Sequence, residues 1–562
     1  MSTTPQPPIQ QVPESETPSA ALTTGTLVGA TLAGLVGQLA LAVPGVLNGL
    51  FQADLGPSSS QLTWISAAFL VPVTLLELTF GVLGDLFGRK RLLMIGAAVT
   101  ALGEFVSVLT PGTGTSTGGR VAVLWVGQAL AGIGAAMLFP TALAMVAAGT
   151  FTARERARGL AIWGVAVPLG GTVAVLLGGA VSKLKFNGSE TASWRWTLLI
   201  VLGVALVSFV FTALYTTDSS APEGRSLDAP GQVTIAVALF ALLFAVVQSP
   251  SDGWGDPLIL SALVVSVVFF VLFVVAETRS TAPLLQLRLF HDRNFAIVSI
   301  ITVVAMFAQL GTGYAVSIRM AVIQGHSPLD VAIGMLPLTA GAVVMLPFNA
   351  WMLRRYPAKW LLVLGTFLLA VGAFWAATIS ATHTSTASVA LPMLASGFGF
   401  GISVTAATAV AVNSVPPHLA GMASGTTSML RDFGFTLGPT VLAAIALSRA
   451  ESAIREKVAA SPALQSALAA FNASADKVPP GRQAAVEGAI EGVNSGPLGA
   501  VSVPATVPGP NGSPVPFNPL KGVAFDSLDH SYSLAFVICG VCALASTLLG
   551  AAFLPRTTPD PR

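Results

Sequence analysis

Long apolar runs alternate with short polar breaks along the whole chain. The runs cover residues 23–51, 61–84, 92–110, 121–150, 159–182, 196–215, 229–249, 257–276, 294–324, 331–353, 360–382, 386–415, 419–448 and 531–555. A helix needs about 20 apolar residues to cross the hydrocarbon core of a bilayer. The pattern predicts an all-α membrane protein with fourteen transmembrane helices, numbered here as spans 1 to 14. The longer runs must tilt or project beyond the core. Two stretches break the pattern. Residues 1–22 hold Pro, Gln, Ser, Thr and Glu but no Lys or Arg. They read as a disordered cytoplasmic tail, because a secretory signal would open with basic residues. Residues 449–530 read as a solvated loop. Its first part, "ESAIREKVAASPALQSALAAF", suits an amphipathic helix, and its second, "VPATVPGPNGSPVPFNP", suits extended chain.

Composition strengthens this picture. Of the 562 residues, 53% are hydrophobic and 9% charged, whereas a soluble domain carries about 25% charged residues. A chain so poor in charge cannot cover itself with a wetted surface. A net charge of +2 with no basic stripe gives no reason to expect a nucleic-acid partner. Cys539 and Cys542 stand inside an apolar run and read as inert buried thiols.

Charge distribution adds orientation. With the N-terminus in the cytoplasm, the cytoplasmic loops and tail carry fifteen Lys and Arg, among them Arg89, Lys90, Arg91, Arg154, Arg156, Arg354 and Arg355. The short outer loops carry four: Arg120, Lys183, Lys185 and Arg195. This asymmetry places both termini in the cytoplasm of a multi-pass cell-membrane protein. Trp64, Trp194, Trp196 and Trp254 would then lie at the outer interface, and Trp351 and Trp360 at the inner one.

The densest charge lies in "GVLGDLFGRKRLLMIG", between spans 2 and 3. Gly88 suits a tight turn, and Asp85 beside Arg89, Lys90 and Arg91 should be paired. The start of span 3, "GRKRLLMIG", is echoed by "PAKWLLVLG" at the start of span 11. A weak repeat between halves marks transporters built from two related bundles.

On these residues the chain resembles the major facilitator superfamily. Gly81, Gly84, Asp85, Gly88, Arg89 and Arg91 fit that family's signature between spans 2 and 3. "SWRWTLLI" (193–200), "LDAPGQ" (227–232), "PLLQLRLF" (283–290), "GHSPLDVAIGMLP" (325–337) and the stretch from "AGMASG" to "LGP" (420–439) are similar to its fourteen-helix drug:proton antiporter branch. The resemblance implies two six-helix bundles, residues 23–216 and 294–555, with two inserted helices in the linker 217–293 and a short cytoplasmic tail at 556–562. It implies a signature loop that latches the bundles at the inner face, and alternating-access export of hydrophobic or amphipathic small molecules driven by protons. The partners it implies are the bilayer, that small-molecule substrate and protons, with a monomer as the working unit. No enzymatic activity, metal or cofactor is expected. Carriers of lipids or metabolites with different coupling, and a non-transporting scaffold or sensor acting through 449–530, are the alternatives.

The chain departs from the branch in ways that bear on coupling. Span 1 holds Ala42, Val43 and Pro44 but no acid. Gln128 stands where span 4 usually has Arg. The span 5 signature keeps Gly178 and Gly179 but lacks its Gly-Pro, leaving Pro168 two turns earlier to bend the helix. Ionisable residues within spans are costly and face a cavity or a partner. Glu77, Glu104 and Asp432 are therefore candidate proton sites, and Arg319, Arg431 and Gln128 candidate substrate or charge partners. Adjacent helical residues point apart, so Arg431 and Asp432 are each expected to meet another helix. Arg319 is expected to snorkel or to face an anionic substrate group. Phe139, Trp163, Phe307, Phe398, Phe400 and Phe433 are candidate cavity walls. The Gly-rich stretches "AGIGAAMLFP" and "GFGFGIS" lie within spans and suit close helix packing.

Overall fold

The computed structural model describes residues 22–555 apart from 113–114, 151–152, 221–227, 281–282, 284, 286, 416–419, 475–479 and 509–513. The two expected tails lie outside the described residues but for Leu22. The helices are α1 (Thr24–Leu55), α2 (Ser59–Phe87), α3 (Arg89–Val108), α4 (Thr117–Ala148), α5 (Ala153–Gly164), α6 (Ala166–Val181), α7 (Trp194–Tyr215), α8 (Ala229–Asp252), α9 (Pro257–Arg279), α10 (Arg293–Ile318), α11 (Pro328–Arg355), α12 (Ala358–Thr378), α13 (Ala387–Asn413), α14 (Ala420–Ala460), α15 (Pro462–Asn472), α16 (Pro480–Asn494), α17 (Pro497–Ser502) and α18 (Lys521–Phe553). One small hairpin, β1 (Thr506–Pro508) with β2 (Pro514–Pro516), lies in the long loop. Fourteen helices among the described residues are long and apolar enough to cross a membrane.

Local chemistry sets the helix ends. Gly56 closes α1 in the left-handed conformation at φ 60°. Ser58 and Gln61 then cap the start of α2 reciprocally. Span 5 is broken at Val165 into α5 and α6. Pro168 has no N–H to offer the Gly164 carbonyl, so the break falls one turn before the proline.

Helix ends sort onto two faces. Asp54, ending α1, meets Arg120 at the start of α4 and Arg195 at the start of α7, at 3.7 and 3.0 Å. On the opposite face, the Leu22 amide donates to Gly149 O beyond α4 at 2.7 Å. The first face also carries the described residues of 461–520 and is called the loop face; the other carries Leu22 and Pro555 and is called the tail face.

α1–α7 pack mainly on one another, and α10–α14 pack with α18. α8 lies against both α2 and α14, and α9 lies outside α8. Val264, Val267 and Phe270 of α9 are more than half exposed, an apolar surface that suits lipid. The contacts between the two groups cluster at mid-depth and toward the loop face. They include Thr63 with Tyr314, Ser317 with the Gly45 carbonyl, and α6 with α11. α5, the tail-face half of span 5, packs on α1, α4 and α6. The molecule is thus closed toward the loop face.

The long loop is more ordered than its composition suggests. α14 runs past the apolar run to Ala460, and α18 starts at Lys521, ten residues before the predicted span. α17 wedges into the loop face, touching α1, α2, α14 and α18. Leu498 is fully buried there, which is worth about 1.5–3 kcal/mol.

Candidate transport site

Three charged arrangements stand out, and only one of them spans the two helix groups. At the tail face, Arg89 Nη2 lies 2.7 Å from Asp85 Oδ1, with both side chains about 7% exposed. Gly88 makes the turn at φ 100°, a conformation that favours glycine. The Arg89 amide donates to Ser219 O at 2.9 Å and its guanidinium to Ser219 Oγ at 3.3 Å. The Lys90 amide donates to Asp218 at 3.0 Å. These contacts tie the signature loop to the segment after α7, within its own group of helices. These contacts lie within one group of helices; the two groups meet at mid-depth and toward the loop face. Arg91 is exposed, and Gly81 and Gly84 pack near Pro140 and Thr141 of α4.

In the second group of helices, Arg319 is 1% exposed. It sits on a π-helical turn after α10. It donates to Asp529 at 3.2 Å, to Ser533 at 3.0 Å and to the Ala376 carbonyl at 3.1 Å. Its guanidinium also stacks 4.8 Å from the Phe536 ring centre. Arg319 therefore neither snorkels nor awaits a substrate; it braces α10, α12 and α18. The signal was Asp529, hidden because the charged start of α18 lay outside the apolar run.

The third arrangement joins α2 to α14. Arg431 and Asp432 form a two-pronged pair with each other, at 2.8 and 2.9 Å. The expectation that each meets another helix holds for Asp432, which neighbours α2, while Arg431 also turns back onto its sequence neighbour. The Arg side chain is long enough to fold back along its own helix, so adjacency does not keep the two groups apart. Across the seam, Glu77 of α2 is a close buried neighbour of Asp432, and its Oε2 has no hydrogen-bond partner among the described residues. One turn toward the loop face, Thr74 Oγ1 and Thr436 Oγ1 are 2.6 Å apart. Glu77 and Asp432 are 4% and 5% exposed. Arg431 also borders a recess lined by Thr302, Met306, Thr408 and Ser428. A hydrogen bond between two carboxyls needs a proton on one of them.

α8 covers this seam. Gln232 donates to the Leu75 carbonyl at 2.6 Å, and Trp64 donates to Gln248 at 3.4 Å. Ala67 and Val71 of α2, Leu243 and Val247 of α8, and Leu437 of α14 pack together beside it.

The remaining candidates stay within one group of helices or serve packing. Glu104 is fully buried between α3 and α4, facing Gln128, which donates to Ser107 Oγ at 3.1 Å. A Cβ at Gly178 would come within 2.6 Å of Val46 on α1, and one at Gly179 within 2.9 Å of Ala332 on α11. The glycine pair thus lets α6 sit close between the two groups. Pro168 is buried. Phe139 and Trp163 fill the space left by Gly37 and Gly34 of α1, so they pack helices rather than wall a cavity. Phe400 stacks near Phe435 at 5.9 Å. Trp194, expected at the interface, is fully buried against Phe51 and donates to Asp54 at 2.9 Å. Arg195 and Trp194 share that carboxylate, which draws the ring inward.

The sequence profile of the Major Facilitator Superfamily matches residues 26–439. The chain belongs to this superfamily. It is 26% identical over 538 residues to the tetracenomycin C resistance and export protein of Streptomyces glaucescens, covering 96% of this chain and 92% of that one. It is 28% identical to multidrug resistance protein Stp of Mycobacterium tuberculosis, covering 70% of each. It is 28% identical to cephamycin export protein CmcT of Amycolatopsis lactamdurans, covering 72% of this chain and 80% of that one. Among solved structures, a bacterial homolog of the human lysosomal transporter Spinster superposes with TM-score 0.56 at 16% identity, over 95% of this chain and 98% of that one. A bacterial homologue of the human drug peptide transporters PepT1 and PepT2 gives 0.53 at 15%, over 94% and 98%. Both share the helical fold.

Proposed function

We propose that this membrane transporter exports hydrophobic or amphipathic small molecules by proton antiport, with α1–α7 and α10–α14 plus α18 as the two moving bodies. Relatives that align over most of the chain are resistance and export proteins. The cation-rich tail face would be cytoplasmic, with both termini inside.

The observation that carries the coupling is the Glu77–Asp432–Arg431 cluster across the α2/α14 seam. With one proton on the carboxyl pair, its charges sum to zero and the seam is hydrogen-bonded shut. Without that proton, two carboxylates share one guanidinium in a buried site. Like charges then repel across the seam. Protonation therefore favours the loop-closed form described here. Deprotonation, with substrate bound, favours the loop-open form. A proton taken up outside is carried inward, its release frees the carrier to move substrate outward, and the cycle is antiport. The protein's contribution is differential stability of two states, which is all a ligand or proton can act on.

The test uses proteoliposomes with an imposed pH gradient and a pH-sensitive dye inside. A panel of lipophilic cations, neutral drugs and anions is added to wild type, Glu77→Gln, Asp432→Asn and Glu104→Gln. Substrate-triggered proton flux should vanish in the first two variants and persist in the third. Transport without proton movement in wild type would overturn the proposal.

A further inference from the structure

On the outer side of α3 and α7, away from the transport site, lies a groove of about 520 Å³. Ile95, Ala98 and Leu102 form one wall and Phe209 the other. Ile95 and Leu102 are 44% and 51% exposed, so the trough opens outward onto the bilayer. Its mouth at the tail face is lined by Lys90 and Arg91, with Asp218 beside them. One Asp218 oxygen already accepts from the amides of Lys90 and Ser219. The ammonium of Lys90 and the guanidinium of Arg91 have no partner among the described residues. The trough from Arg91 to Leu102 rises about 16 Å along α3, a depth that takes much of one acyl chain.

We propose that this groove binds a phospholipid with an anionic headgroup. The headgroup sits at Lys90 and Arg91, and one acyl chain lies between α3 and Phe209. Two observations choose this occupant. The groove faces hydrocarbon, where lipid chains are the molecules at hand, and its mouth holds two unpaired cations at headgroup depth. Basic pockets between membrane helices recognise anionic lipid in this way. The bound lipid would also brace the turn at Gly88 and thus the signature loop.

The full-length protein is reconstituted in vesicles of equal phosphatidylglycerol and phosphatidylcholine. It is then extracted in mild detergent, and retained lipid is measured by native mass spectrometry. Wild type should hold phosphatidylglycerol about fivefold over phosphatidylcholine. The double variant Lys90→Gln with Arg91→Gln should lose that preference, and so should Ala98→Trp, which fills the trough without touching charge. The charge-keeping swap Lys90→Arg with Arg91→Lys should retain it. Melting curves without lipid show that each variant is folded. No preference in wild type, or full preference in Ala98→Trp, would overturn the proposal. So would displacement of the lipid by millimolar inorganic phosphate, which would mark a site for the anion alone.

Discussion

Thr74 Oγ1 and Thr436 Oγ1 lie 2.6 Å apart, and each sits one helical turn toward the loop face from an acid, Glu77 on α2 and Asp432 on α14. The two hydroxyls and the two carboxyls thus form consecutive rungs of one seam between the helix groups. Both hydroxyls also donate or share with their own helix, Thr74 at Leu70 O and Thr436 at Asp432 O. The seam is therefore anchored to backbone on both sides.

The closeness of the threonines predicts a lock. Thr74→Cys with Thr436→Cys, in a chain whose Cys539 and Cys542 are replaced by Ala, should form a disulfide on mild oxidation, because the side chains already meet. Transport should stop on oxidation and return on reduction. Full transport by the oxidised protein would show that the seam does not move.

Arg319 and Asp529 should matter for stability rather than for coupling. Removing Arg319 takes the charge partner from Asp529, which is 20% exposed and still held by Ser380 and the Ala381 amide, at a cost of about 1–3 kcal/mol. Arg319→Gln should melt earlier than wild type, and Arg319→Met with Asp529→Leu should recover part of the loss. The folded double variant should still couple substrate to protons. Calorimetry and the flux assay together check both halves.

The two glycines of α6 should fail differently. Gly178→Leu clashes with Val46 inside one helix group, and overpacking of this kind costs about 1–3 kcal/mol. Its melting temperature should fall. Gly179→Leu clashes with Ala332 of the other group. It should instead shift the population toward the loop-open form, seen as faster thiol labelling at that face.

α8 is hydrogen-bonded to α2 through Gln232 and Trp64, whereas its packing with α14 is apolar, as at Leu437. It should travel with α2 and slide on α14. Spin labels at Val233 and Phe87 should keep one distance through the cycle. Labels at Asp252 and Arg449 should show two. The reverse would assign the inserted helices to the other moving body.

The hydropathy pattern located the spans because each one needs its own run of apolar residues. The signature loop was legible because glycine and charge are local demands. The seam was not. Glu77 and Asp432 were recognised singly as buried acids, but their meeting depends on which helix faces which, and no local pattern encodes that. Asp432 meets another helix as expected, through Glu77, but the direct contact of Arg431 with Asp432 was not legible because the rule for adjacent residues neglects the reach of arginine. Arg319 lost its partner in the reading because Lys521, Asp526, Asp529 and His530 interrupt the hydropathy just where α18 begins. The order in 449–530 depends on α17 finding a cleft formed by distant helices.

The most direct test of the central claim measures the loop-face distance between spin labels at Lys183 and Leu329 as pH is varied, in wild type and in Glu77→Gln. If the proton on the carboxyl pair holds the seam, wild type should be short-distance and loop-closed at low pH and should gain a longer-distance population as pH rises. Glu77→Gln, which cannot ionise, should stay short throughout. Identical distance distributions in wild type at low and high pH would contradict the account.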